Sequence, residues 1–444
     1  MTSKYPAWVC ALALVAVTCA PQTVVTSAGP TAARTSVFAS PTPGLPAPIA
    51  GSLSLDRHWH TLPDSFDRSP LHATVTFAGD VAAGRPYVEV TGTGSSTVPT
   101  ARAPLTRQAA DIWTADVPLD GLTPGFQQVR VFEQLDANTA RAIASDGFLL
   151  TQPEYVVWTL DFEGDASGDA ELANTAAIAD GLKIPMSVFW NPRVWTSSGV
   201  SSERQDAMLA WTKDRLAKGD EVALHLHMWT DYVRAAGLVP RTTPSWAGRG
   251  DGYDVPITAY PENEQQAMIG YGVKLMIQHG LPTPTSFRAG GDFADAATLR
   301  AVAASGFNAD CTAVAKDYPP IGRIPYPWTL PAGAQPYRPS STDANATGDL
   351  ALLEAPTIGG NTFGFTTQTI QPQIRANLAL FAPAGTAAAE RRAITVVSHP
   401  GTIVPVERAA IQALLGAFDA LRYDRDSGPV RFVTLAQLAK AYGR

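Results

Sequence analysis

Glu221-Val-Ala-Leu-His-Leu-His-Met-Trp229 is a short apolar run that ends in two histidines one residue apart. It follows an amphipathic stretch over 203–218 that Gly219 stops, and it precedes a Pro/Gly-rich segment. That context reads as a buried strand over 222–226 after a helix. Successive side chains on a strand point to opposite faces, so His225 and His227 project to the same side. Two imidazoles on one face make up half of a catalytic metal site, which needs a carboxylate beside them. The alternative is a histidine pair at a strand end, satisfied within the protein.

Outward from this run, strands and helices alternate. Val156 to Asp161 reads as a strand, 170–181 as a helix and 185–190 as the next strand. Beyond the histidines, 262–279 reads as a helix, 286–289 as a strand and 295–305 as a helix. Strands around 352–356, 394–398 and 430–435 follow, with helices around 372–380 and 406–421 and a last helix at the end. Residues 230–261 and 315–349 read as long loops, where specificity commonly resides. Alternation of this kind predicts an α/β fold, a distorted (β/α)7-type barrel over 152–444, with chemistry at the C-terminal ends of its strands.

Ionisable side chains do collect at those ends. The first strand runs into Thr159-Leu-Asp-Phe-Glu-Gly-Asp165, where Asp161 and Glu163 share a face by the same period of two. Another ends in Phe287-Arg-Ala-Gly-Gly-Asp292, a later one carries Glu354, and the last gives Ser398-His-Pro-Gly401. Each residue alone has a structural explanation, as a cap, an ion pair or a turn residue. Their recurrence at separate strand ends favours a shared site.

Upstream, 51–151 is a set of short alternating runs broken by Gly, Pro and Asp, which predicts a small β-sandwich before the barrel. His58 and His60 precede its first clear strand and read as loop residues. Residues 21–50 are rich in Pro, Thr, Ala and Ser and read as a disordered linker. Residues 1–20 read as an export signal, with Lys4 ahead of an apolar run too short to span a membrane comfortably. Cys19 closes that run, and lipidation there would tether the chain to a membrane, although Ala16-Val17-Thr18 departs from a lipoprotein box. The chain is thus expected to be secreted, periplasmic or lipid-anchored at the cell envelope. Cys10 and Cys19 lie in the leader, so Cys311 is the one thiol expected in the folded part. Hydrophobic residues are 45%, charged residues 16% and the net charge −7, which argues against nucleic acid and favours a neutral partner.

The order of these motifs resembles the polysaccharide deacetylase (NodB homology) family, carbohydrate esterase family 4, over roughly residues 155–444. The family's Asp-rich first motif appears as Thr159-Leu-Asp161-Phe-Glu163 and its Gly-x-Glu-x-x-x-His second motif as Gly219-Asp-Glu221-Val-Ala-Leu-His225. The Arg-centred third appears as Phe287-Arg288-Ala-Gly290 and the late aliphatic-x-x-His motif as Ile394-Thr-Val-Val-Ser-His399-Pro400. The resemblance implies Asp161 as catalytic base, Arg288 as the group that orients it and His399 as general acid. It implies His225 as a metal ligand, with Glu163 near the place of the family's metal-binding aspartate. The family's second histidine ligand falls where Trp229 stands here, so that role passes to His227, which strand geometry supports. If His227 is not the ligand, Asp165 and Asp292 are next. Zn²⁺ is the expected ion. Trp190, Trp229 and Gly290 are the expected substrate contacts, the tryptophans by stacking on sugar rings, as Trp195 would also do. The implied activity is an exported, metal-dependent hydrolase removing acetyl groups, principally N-acetyl, from a neutral polysaccharide or oligosaccharide. The alternatives are a cyclic amide or ureide hydrolase on the same fold, and a glycan-binding barrel without catalysis.

Overall fold

Strand β1, Glu154–Asp161, is buried at every position. A strand needs that character when helices cover one side and a barrel interior lies on the other. Val156, Trp158 and Leu160 pack outward into a cluster shared with the surrounding helices, while Tyr155 and Val157 belong to the interior. The remaining barrel strands are β2 Ser187–Trp190, β3 Glu221–Leu226, β4 Ser286–Ala289, β5 Ala309–Asp310, β6 Leu353–Glu354 and β7 Arg392–Ser398. They form a curled parallel sheet in the order β6-β5-β4-β3-β2-β1-β7. A further strand, β8 Val430–Phe432, pairs with the first half of β1, and β2 pairs with the second half. Across the remaining gap the backbone after β6 bonds to β7, with Gly359 N to Thr395 O and Thr362 N to Val397 O, each 2.9 Å. A Cβ at Gly359 would lie 2.7 Å from the Thr395 carbonyl, so only glycine permits this approach.

The computed structural model describes residues 49–78, 85–92, 100–135, 138–246, 248–250, 253–319 and 324–444. The expected leader over 1–20, its Cys19 and all but the last two residues of the expected linker lie outside them. Among the described residues, no helix is long and apolar enough to cross a membrane.

The interior of so small a barrel has room for few large side chains. Phe189 sits there among Ala223, Ala309, Ala355 and Ala393, and the helix Leu435–Ala441 adds Leu435, Leu438, Ala439 and Ala441. That helix starts in a capping box, with Thr434 Oγ1 accepting from Gln437 N and Gln437 Oε1 accepting from Thr434 N. Along β1 the interior face runs from Tyr155 and Val157 to Thr159 and Asp161. It is apolar at the start of the strand and polar at its C-terminal end.

The described residues within 51–151 form two sheets over one core built from Leu71, Val75, Val88, Val90, Val117, Val129, Val131 and their neighbours. The structure differs from the sequence reading at His60, expected as a loop residue, which lies in the strand Trp59–Thr61 that pairs in parallel with the long strand Ala140–Thr151. Trp59, His60 and Thr61 are all buried, so no alternating pattern marks them. The module meets the barrel through polar anchors. Asp426 accepts from His58 N and Trp59 N at 2.9 Å, Arg431 Nη2 donates to Thr61 Oγ1 at 2.7 Å, and the Tyr155 hydroxyl donates to Asp64.

Glu154, the first residue of β1, is buried, with one oxygen accepting from Ala382 N at 2.8 Å and the other without a partner. Burial pushes its carboxyl up to about 7, against the hydrogen bond from Ala382 and the charge of Arg392. The folded state therefore holds a proton here that the unfolded chain releases near the ordinary value. Stability is fullest below the unfolded pKa and falls as pH rises toward 7, by up to about 3 kcal/mol. Glu154→Gln is expected to raise stability at pH 8 by about 1–3 kcal/mol and to add nothing at pH 4.5. Urea unfolding at the two pH values checks this, and an equal effect at both would refute it.

Candidate metal centre

Asp161 closes β1, and Phe162 N still bonds to Phe189 O at 3.0 Å, so the extended backbone continues far enough to turn Glu163 to the same side as Asp161. Gly164, with φ of +79°, then turns the chain, and a Cβ there would lie 2.8 Å from Arg193 Cβ. On β3, His225 lies within the strand and His227 just past it, with rings 4.9 Å apart and nearly perpendicular. Glu163, His225 and His227 bring one donor atom each to within 4.8 Å of one another. His227 Nε2 lies 2.7 Å from Glu163 Oε2, and His225 Nε2 lies 4.0 Å from the same oxygen. His399, directly after β7, puts its Nε2 3.3 Å from Glu163 Oε1.

The bonds on the other ring nitrogens fix which atoms face the centre. His225 Nδ1 donates to the Arg288 carbonyl at 3.1 Å, which leaves Nε2 buried with no partner. His227 Nδ1 is 2.6 Å from Asp254 Oδ2. Burial lowers the pKa of His225 and keeps its ring neutral. Burial acts the same way on His227, but Glu163 and Asp254 together push it well above its ordinary value. Burial would raise Glu163, yet His227, His399 and His225 hold it well below the usual carboxylate range. His399 is raised, because its bond to Glu163 and the charges of Glu163 and Asp161 outweigh burial.

Behind this group lies Arg288, 1% exposed. Its Nη1 donates to Asp161 Oδ1 and Thr159 Oγ1 at 2.9 Å, Nε to the Cys311 carbonyl at 3.0 Å and Nη2 to Thr357 Oγ1 at 3.0 Å. The guanidinium also sits over the Phe189 ring, 5.0 Å from its centre.

An orphaned, buried imidazole nitrogen facing a second imidazole and a carboxylate fits a divalent ion of the two-histidine, one-carboxylate type. The expected ligands Glu163, His225 and His227 thus come together, and Asp161, Arg288 and His399 surround them. The fallback candidates do not join the donor group. Asp165 is paired with Arg193 at 2.6 Å. Asp292 is not among the donors either, and burial with the Asp161 charge pushes its carboxyl up to about 7 against the charges of Arg288, His399 and His227. Glu354, read as a strand-end carboxylate, is instead fully buried opposite Asp310, and burial with that neighbour pushes it well above its ordinary range.

Two of the three expected substrate contacts, Trp190 and Trp229, are corrected. Trp190 is fully buried between Phe162 and Trp195, with ring centres 5.2 and 5.3 Å away, because inward Phe189 forces the next residue of β2 outward under the helices. Trp229 is 8% exposed and lies between His227, Tyr253 and the Arg193 guanidinium, so neither ring face is free. Gly290 packs against the His227 ring, since a Cβ there would lie 2.4 Å from His227 Cγ. Trp195 stacks on His279 with centres 4.0 Å apart. Aromatic rings do flank the centre elsewhere. Trp246 is 5.8 Å from the His227 ring, and Phe363, 56% exposed, is 6.3 Å from the His399 ring. Asp254, Trp246 and Phe363 were missed in the sequence because all three stand in segments without periodicity.

No protein-family model and no curated protein matches the chain. Solved structures do resemble it. A protein of Mycobacterium smegmatis assigned as a polysaccharide deacetylase is 15% identical, with a TM-score of 0.41, over 65% of this chain and 89% of its own. The family 4 carbohydrate esterase of Streptomyces lividans, solved with acetate, is 12% identical, with a TM-score of 0.32, over 61% of this chain and 90% of its own. The peptidoglycan deacetylase PdaC of Bacillus subtilis, as a mutant, is also 12% identical, with a TM-score of 0.32, over 65% of this chain and 92% of its own. Many of the structures it resembles are described as polysaccharide deacetylases or family 4 carbohydrate esterases. A pseudoenzyme of the same carbohydrate esterase family also resembles the chain, at 8% identity and a TM-score of 0.32.

Proposed function

We propose that this chain is an exported, divalent-metal-dependent deacetylase that hydrolyses N-acetyl groups on a polysaccharide or oligosaccharide. The observation that carries the reading is the convergence of Glu163, His225 and His227 beside an arginine-paired carboxylate and a third histidine. His225 Nε2, His227 Nε2 and a Glu163 oxygen would hold the ion, with Zn²⁺ the expected one. Such an ion supplies Lewis acidity toward the amide carbonyl and toward water. Asp161 takes the proton of the attacking water through the oxygen that Arg288 leaves free. Arg288 fixes the orientation of that carboxylate. His399, beside Glu163 Oε1, carries a proton for the departing amine, and its Nδ1 is without a partner. The products are acetate and an amine on the sugar. Phe363 and Trp246 flank the centre and offer faces for sugar rings.

Acetate release from N- and O-acetylated oligosaccharides tests this, before chelation, after chelation and after restoring Zn²⁺. Chelation is expected to reduce release to background and Zn²⁺ to restore it. Release that persists in fully metal-free protein, or no release from any acetylated glycan, would sink the proposal.

A further inference from the structure

Past β3, the chain forms a small antiparallel ribbon in which Met228–Trp229 pairs with Asp254–Val255. Trp229 and Asp254 are direct partners in it. That one pair touches two of the three donor residues. Asp254 is buried, its Oδ2 lies 2.6 Å from His227 Nδ1, and its Oδ1 has no partner. Trp229 donates its indole N–H to the Glu163 carbonyl at 3.2 Å and stacks on the His227 ring, 5.2 Å away and 29° from parallel. Arg193 braces the tryptophan from 4.7 Å and is itself held by Asp165 and by Asp231.

We propose that the Trp229–Asp254 pair is a positioning device for the donor set, and that it sets how tightly the centre holds its ion. The proposal rests on the metal reading above. A histidine just beyond a strand end can turn about its last torsion, which is broad and roughly two-fold. A carboxylate on Nδ1 removes that freedom, selects the tautomer with a lone pair on Nε2 and makes that nitrogen more basic. Glu163 needs a brace for a similar reason. It stands beyond β1 on a long side chain and is 34% exposed. The indole bond to its backbone, with Gly164 turning directly after it, fixes where that side chain starts. Trp229 occupies the place where the resemblance sets a histidine ligand. Here the ligand moves two residues back to His227, and the ribbon supplies an orienting carboxylate and an aromatic wall.

The test measures Zn²⁺ affinity by competition with a chromophoric chelator, and the visible spectrum of the Co²⁺ form, for wild type, Asp254→Ala, Asp254→Asn and Trp229→Phe. Asp254→Ala is expected to weaken binding by about 10–100-fold. Asp254→Asn should lose less, because an amide oxygen still accepts from Nδ1. Trp229→Phe keeps the stacking and loses one hydrogen bond, for a loss of about 2–10-fold. The Co²⁺ spectrum should change in each variant. A merely structural role predicts lower melting temperatures in the stripped proteins with Zn²⁺ affinity within about twofold of wild type and an unchanged spectrum, and that result overturns the proposal. If Asp254→Ala does not fold, the other two variants decide. Wild type that binds neither ion overturns the metal reading and this inference with it, whereas wild type that binds while all variants bind equally overturns this inference alone.

Discussion

Asp161→Asn is expected to lower the rate of acetate release by about 10²–10⁴-fold while leaving the ion content unchanged. The size of the effect follows from how the carboxylate is held. Arg288 Nη1 occupies Oδ1 at 2.9 Å, so that oxygen is fixed and the proposed base is the other one. An asparagine of the same shape must turn its carbonyl oxygen to Arg288, because the guanidinium donates and cannot accept. Its amide nitrogen then stands where a proton must be received. Asp161 is outside the donor group, so Zn²⁺ stoichiometry by elemental analysis should stay at the wild-type value. The variant keeps the remaining bonds of Arg288 to Thr159, Cys311 and Thr357, and it should fold with a loss of about 1–3 kcal/mol. More than about a tenth of the wild-type rate in a correctly loaded variant would remove Asp161 as base.

Two kinds of sequence signal made this site legible. The period of two along a strand put Asp161 with Glu163 and His225 with His227, and the structure brings three of these four, Glu163, His225 and His227, together as one donor group. Alternating strands and helices then gave the barrel whose strand ends collect them. What stayed hidden lacks periodicity. Asp254 lies within 230–261, read as loop, and its role depends on a ribbon only two residues long on each side. Strand β5 is equally short, too short for any pattern to show. Trp190 was misread for a different reason. A four-residue strand buried on both faces shows no alternation, so whether its last residue points to the mouth or under the helices is decided by the neighbouring Phe189. The close packing of Gly290 on the His227 ring also stayed hidden, because a contact between a backbone and a ring from another strand leaves no trace in either local sequence.

Arg288→Met is expected to destabilise the protein by about 3–5 kcal/mol and to cost nearly as much activity as Asp161→Asn. The arginine joins β1 through Thr159 and Asp161, the chain after β5 through the Cys311 carbonyl and the chain after β6 through Thr357. Burial opposes its charge, and Asp161 provides the largest compensation, so the raised pKa of the guanidinium records how strongly the pair is coupled. Methionine fills similar space but leaves a nearly buried carboxylate without its cation and without a fixed orientation. Arg288→Lys keeps the charge and loses the planar fork, so it should fall between wild type and methionine in stability while recovering little rate. The double variant Asp161→Asn, Arg288→Met separates the two roles of the pair. With the carboxylate already neutral, removing the cation no longer strands a charge, and the double loss in urea unfolding should be smaller than the sum of the single losses by about 1–3 kcal/mol. Losses that add to within about 0.5 kcal/mol would mean that Arg288 acts as a strut between strands, independently of the carboxylate it faces.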